Sequence, residues 1–298
     1  MRKSLFLKLV VLGVVSILML IALSSIDDLA RERKRRQGDV ESGIAMNYAG
    51  WQQLTGPVFT VRFREFWSER RYNKEKDTWY DTELNAVETA YFFPETFNYS
   101  GEMKVQERYR GIFKANVFQT EGHLDGDVIF PALETLARRK KSRVELVSVK
   151  ACVMINDLRG ITRVPTFDWN DEPLEMVQGS DLETQGSGIH AKLPDPELIF
   201  GQRFEFSMDL ALHGMGSMTF VPVGDENRIR VSSPWPHPGF IGDFLATDRT
   251  VSEEGFAAEW NVNGLASSAQ AHIKRGEGGS IQRLGVSLVD PVNVYSLT

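Results

Sequence analysis

Between residues 203 and 212, Phe204, Phe206, Met208, Leu210 and Leu212 alternate with Arg203, Glu205, Ser207 and Asp209. A period of two puts the apolar set on one face of an extended strand, and no helix gathers it into one stripe. The same signature recurs. Val61 and Phe63 alternate with Arg62 and Arg64; Val147, Val149, Ala151, Val153 and Ile155 share one face, with Ser148, Lys150 and Cys152 on the other. Further strands are expected over 87–93, 102–109, 112–120 (turning at Gly111), 228–232, 250–262 and 280–289, with Gly214 and Gly216 turning the 203–212 strand back into 217–223. Polar residues 70–83 read as a long hairpin loop, and 131–141 as a short helical turn. Many short strands and little helical period after residue 55 predict an all-β fold, a sandwich-like antiparallel double sheet.

One stretch breaks the rhythm. Residues 232–244 read SSPWPHPGFIGDF. Pro234, Pro236 and Pro238 remove three backbone donors, so the stretch lies at a sheet edge or crosses between sheets. Gly239 and Gly242 let the chain turn. Trp235 and Phe244 are expected to be buried against the core, and His237 to hydrogen-bond a backbone group or Asp243.

The N-terminus has another character. Arg2, Lys3 and Lys8 precede an uncharged run, 9–26. Its roughly 18 residues span about 27 Å as a helix, against a hydrocarbon core of about 30 Å. Residues 1–26 are expected to anchor the chain in a lipid bilayer, with a cleavable signal peptide as the alternative. Residues 27–55 lack proline up to Leu54 and read as a helical stalk stopped by Gly56 and Pro57. Residues 56–298 form the β-rich domain. Arg31, Arg33, Lys34, Arg35 and Arg36 follow the apolar run, which by itself favours a cytoplasmic domain.

Catalytic spacing is absent. The five histidines, His123, His190, His213, His237 and His272, show no short metal-ligand spacing, and Cys152 is the only cysteine. There is no P-loop, dinucleotide fingerprint or nucleophile elbow. Gly186, Ser187 and Gly188 fit turn chemistry, and Cys152 reads as a small buried hydrophobe. No cofactor or metal is expected. A net charge of −6 argues against nucleic acid as a partner.

WPHPGFIGDF at 235–244 and RTVSEEGFAAEW at 249–260 resemble the CreD family of bacterial inner-membrane proteins, as do DLRGI at 157–161, GSGIH at 186–190 and VDPVNVY at 289–295. The family residues singled out are Trp235, Pro236, His237, Pro238, Gly242, Asp243, Phe244, Arg159, Gly160, Gly188 and His190. The resemblance implies an N-terminal membrane helix, a large periplasmic β-rich domain and a C-terminal bundle of membrane helices; this sequence, ending at Thr298, does not contain the bundle. It also implies a role in envelope integrity, stress response and colicin tolerance, with other envelope proteins or membrane helices as partners and no assigned reaction. It places residues 56–298 in the periplasm, against the charge count. An envelope hydrolase centred on His237 and a ligand-sensing sandwich are the alternatives.

Overall fold

The computed structural model describes residues 48–288 apart from 76, 111–112, 181, 183–186 and 277–280, together with isolated helical positions between 12 and 43. Most of the expected anchor and stalk, Gly186, and residues 289–295 lie outside the described residues. Among the described residues no helix is long and apolar enough to cross a membrane.

The strands run β1 (Gln52–Asn73), β2 (Thr78–Phe92), β3 (Thr96–Arg110), β4 (Phe113–Ile129) and β5 (Arg143–Ile155). Short strands follow: β6 (Thr166–Trp169), β7 (Glu172–Glu175), β8 (Val177–Gln178) and β9 (Ile189–Lys192). Next come β10 (Arg203–Met215), β11 (Ser217–Val221), β12 (Glu226–Ser233) and β13 (Gly239–Gly242). β14 (Asp248–Ser252), β15 (Gly255–Asn263), helix α1 (Ala269–Arg275) and β16 (Leu284–Ser287) complete the chain.

They make two 8-stranded sheets. The first has the order β13-β16-β11-β1-β5-β9-β8, with β2 alongside β1; the second is β14-β15-β12-β3-β4-β10-β6-β7. The double sheet is as expected, but it is mixed rather than antiparallel. β1 pairs with β11, and β12 with β3, in parallel.

Aromatic side chains fill the space between the sheets. Phe59 of β1 lies 5.7 Å from each of Phe130, Trp169 and Phe206. Tyr99 folds over the facing pair Gly101 and Gly122, where an added Cβ would come within 2.6 and 2.3 Å of its hydroxyl. The two glycines leave the room that this ring occupies. Cys152 is fully buried on the other face of the first sheet, where Ala269 and Ile273 of α1 cover Val58, Met154, Val221 and Val223.

Several local expectations are corrected. Residues 70–83 are mostly strand: β1 and β2 pair without a register break from Phe59↔Phe92 to Asn73↔Thr78. This distal ribbon meets solvent on both faces, so it carries no apolar alternation to read. Tyr72 and Trp79 pair across it at 5.2 Å, and Arg70 stacks over Trp79. Val147 is the extra residue of a bulge between the pairs Arg62↔Ser148 and Phe63↔Leu146, and is exposed rather than on the core face. The bulge moves the core-facing set below it to Leu146 and Val144. β10 and β11 do not form a hairpin. Gly216, at φ +77°, carries the chain from one sheet to the other. Residues 250–262 are two strands with a turn at 253–254. Residues 52–55 belong to β1, not to a stalk, and Gly56–Pro57 sits inside that strand at a register shift.

Pairing fixes two ends of the molecule. At one end, Gln52↔Met218, Ser217↔Ser287 and Gly239↔Ser287 lie side by side. Gly50 O accepts from Met215 N, and Leu288 N donates to Gly216 O. Both chain segments leading out of the domain therefore leave at this end. β3 and β4 extend past the pair Met215↔Val117 to Arg110↔Phe113, so their hairpin overhangs it. At the opposite end is the β1–β2 tip; a 22-residue strand reaches about 70 Å, less its bend.

Candidate functional site

Three motif groups sit at the end where the chain leaves. The first is the proline-rich corner. β12 ends at Ser233 in the second sheet, and β13 begins at Gly239 on the edge of the first, so residues 234–238 cross between sheets as the missing donors require. Trp235 and Phe244 pack against the core, though they are only half-buried. Lys114 lies over the Trp235 ring at 5.8 Å, and Ser233 Oγ accepts from Trp235 N. His237 is exposed, between Pro236 and Pro238, and meets Trp235 edge-on at 5.9 Å. It has no side-chain hydrogen bond among the described residues, so the expected partner is corrected. Asp243 instead accepts from Arg283 N at 3.0 Å and donates its own N–H to Arg283 O. Gly242, at φ +107°, runs so close to β16 that a Cβ would lie 2.1 Å from Arg283 O.

The second group is the turn after β5. Asp157 Oδ2 accepts from Gly50 N at 3.0 Å, and Arg159 donates to the same carboxylate from Nε at 2.9 Å and Nη2 at 2.6 Å. The buried Gln52 amide donates to the carbonyls of Asp157 and His213. Gly160 leaves space for it: a Cβ there would lie 2.2 Å from Gln52 Nε2 and 2.4 Å from His213 O. This turn pins the start of β1, the point where the domain meets its N-terminal segment. The Arg159 guanidinium, outweighing the upward push of burial, holds the Asp157 carboxyl down at about 2 from an ordinary 3.8. A lowered folded-state pKa contributes stability above the unfolded value, and that stability is lost as pH falls from 3.8 toward about 2. Asp157→Asn is expected to lose up to about 2 kcal/mol near neutral pH. Its melting temperature should converge on the parent's in acid melts followed by circular dichroism. A gap that stays constant down to pH 2 would sink the assignment.

The third group opens β9. A Cβ on Gly188 would lie 2.7 Å from Val153 O, and Ser187 Oγ donates to Ile155 O. His190 Nδ1 bonds Gly179 O at 2.7 Å. These contacts hold strands together; they converge on no shared cleft with His237.

Sequence reasoning did not find a cleft of about 740 Å³ on the outer face of the second sheet. Pairing sets Glu259, Arg230, Ser100, His123 and Asp209 in one row across five strands. His123 Nδ1 lies 2.7 Å from Asp209 Oδ1, and Arg230 Nε donates to Glu259 at 2.8 Å. Among the described residues Ser100 flanks His123 without a hydrogen bond to it, and both His123 and Asp209 are exposed. The residues are scattered in sequence, and only the strand register reveals their alignment. Among the described residues no group of three or more histidine, cysteine or acidic side chains is placed to hold a metal ion.

The geometry defines a two-sheet domain whose motif residues pin its chain-bearing end. Residues 4–298 match the family model described as "Inner membrane protein CreD". The chain belongs to the CreD family of inner membrane proteins. It is 28% identical to Inner membrane protein CreD of Escherichia coli (strain K12) over 301 residues, covering 100% of this chain and 65% of that relative. Among solved structures, an M1 zinc metallopeptidase from Deinococcus radiodurans aligns at a TM-score of 0.32 with 12% identity, covering 66% of this chain and 42% of that one. A mutant of that enzyme bound to a Tyr-Ser-Ala substrate gives 0.31 with 10% identity, covering the same 66% and 42%. Likenesses this weak carry neither fold nor activity to the present chain.

Proposed function

We propose that this chain is a membrane-anchored periplasmic domain that supports envelope integrity by contacting a partner, not by catalysing a reaction. The observation that carries the reading is the shared exit. Gly50 and Leu288 leave the fold side by side, through Met215 and Gly216. A domain held at one end is suited to standing on a bilayer. That end also presents Trp51 at 46% and Tyr109 at 66% exposure, with Trp235 and Lys114 beside the corner. Amphipathic aromatic and basic side chains favour the membrane interface. The described helical positions Leu12, Val15, Ile17, Leu18, Met19 and Leu20 are all exposed, as side chains turned to lipid would be.

The filled core supports an interaction module over a sensor cavity. Among the described residues the exposed imidazole of His237 has no hydrogen-bond partner, which gives a hydrolase centred there no support. Sidedness is tested by a reporter fused after Thr298. Alkaline phosphatase is expected to be active there, and activity from a reporter that works only in the cytoplasm would reverse the topology.

A further inference from the structure

Among the described residues, α1 and Leu182 cover the outer face of the first sheet around Val58, Cys152 and Met154, and beyond Thr60 toward the β1–β2 tip Arg62, Arg64 and Arg143 are exposed. Strand alternation puts Arg62 and Arg64 of β1 on that face. Their cross-strand neighbours are Ser148 and Glu145 on β5, and Thr89 and Val87 on β2. Arg143 stands opposite Phe66 on the same face and stacks over its ring at 4.3 Å. Lys150 faces Lys192 directly across β5 and β9. Five basic side chains thus share one zone of a chain whose net charge is −6. Glu145 is the only acidic side chain among the residues paired in this zone, and Arg143 already engages it. Arg62, Arg64 and Lys192 are exposed and make no ion pair among the described residues. The apolar Val87 and Val147 lie exposed among these cations at 45% and 52%.

We infer that this face docks an acidic segment of a partner protein, its carboxylates on Arg62, Arg64 and Lys192 and an apolar side chain over Val87 and Val147. Charge complementarity selects an anion, and the interleaved apolar groups select a polypeptide. The bilayer itself is too far: Arg62 stands ten residues up β1 from Gln52, about 34 Å from the membrane-facing end. The inference rests on the interaction-module reading above, but its test is separate, because sidedness can hold while this face proves inert.

The probe is a short fluorescein-labelled peptide of alternating glutamate and valine, titrated by anisotropy against the full chain in detergent micelles. The triple variant Arg62→Ala, Arg64→Ala, Lys192→Ala is expected to weaken binding about tenfold, since exposed contacts are individually modest. Raised salt should weaken parent binding as well. Lys104→Ala, on the other sheet, should leave the affinity unchanged. Equal binding by parent and triple variant overturns the proposal, as does an equal loss with Lys104→Ala. Binding of phosphatidylglycerol vesicles through the same three residues, with no peptide binding, also overturns it in favour of a lipid surface.

Discussion

Trp260→Ala is expected to cost about 3–5 kcal/mol, the usual range for truncating a large buried aromatic. Trp260 is fully buried on β15, the second strand of the β14–β15 hairpin, and its ring lies 5.9 Å from Phe240 on β13. It therefore bridges the two sheets where the proline-rich corner crosses between them. Domains of this kind are stable by only about 5–15 kcal/mol, so the variant should melt far below the parent or fail to accumulate. Trp260 Nε1 is buried with no hydrogen-bond partner among the described residues. Trp260→Phe consequently loses volume but no hydrogen bond, and should cost well under half as much. Trp235→Ala should cost only about 1–2 kcal/mol, because that ring is half-buried and its truncation exposes less new apolar surface. Thermal melts of the three variants decide the matter. If Trp235→Ala proves the more damaging, the corner and not the hairpin tryptophan closes the sandwich.

That ranking reverses what the sequence suggests, and the reason is physical. Three prolines around one tryptophan announce a backbone that cannot join a central ladder, and the chain does cross between sheets there. Proline content says nothing of how deep the ring goes. Trp260 belongs to an alternation, Phe256, Ala258, Trp260, Val262, whose depth follows from period two once the hairpin turn at 253–254 is placed. Strands with one buried face were legible for this reason; β10 and the first half of β1 are clear cases. The distal ribbon was not, because solvent on both faces removes the alternation. The bulge at Val147 was not, because one inserted residue inverts a pattern without altering its composition. Helix α1 is short and covers only a small cluster, so its stripe did not rise above the strand signal. Pairings that join distant parts of the chain, such as Lys150↔Lys192 and the row through His123, depend on register alone. The motif glycines were visible as motifs, yet Gly160 owes its place to a glutamine more than a hundred residues away.

Glu65→Leu is expected to destabilise the domain by about 3 kcal/mol through the loss of one carboxylate's hydrogen bonds. Glu65 follows Phe63 on the core face of β1 and is fully buried. Its Oε1 accepts from the backbone N–H groups of Arg138 and Arg139, at 2.9 and 2.8 Å, and from Ser142 Oγ at 2.6 Å; Oε2 accepts from Arg139 Nη1 at 2.5 Å. Arg139 also stacks over Trp67 at 3.9 Å. One carboxylate therefore folds residues 138–142 over the open end of the core, a task that no apolar side chain performs. Burial alone pushes the Glu65 pKa up, but the hydrogen bonds from Ser142, Arg139 and Arg138 outweigh it and hold it below the ordinary 4.5. The group thus stabilises the fold above its unfolded-state pKa, and that contribution is lost as pH falls below 4.5 toward the lowered value. Glu65→Gln keeps the shape and one acceptor and should fall between the parent and Glu65→Leu at neutral pH. Denaturant melts at neutral and acid pH, with hydrogen exchange at Arg138 and Arg139, provide the check. Both amides should lose protection in Glu65→Leu before those of β1 do. Unchanged protection there, or a gap that does not shrink in acid, would mean that the loop is held by its own contacts, such as Ser142 Oγ donating to Arg139 O, and not by this carboxylate.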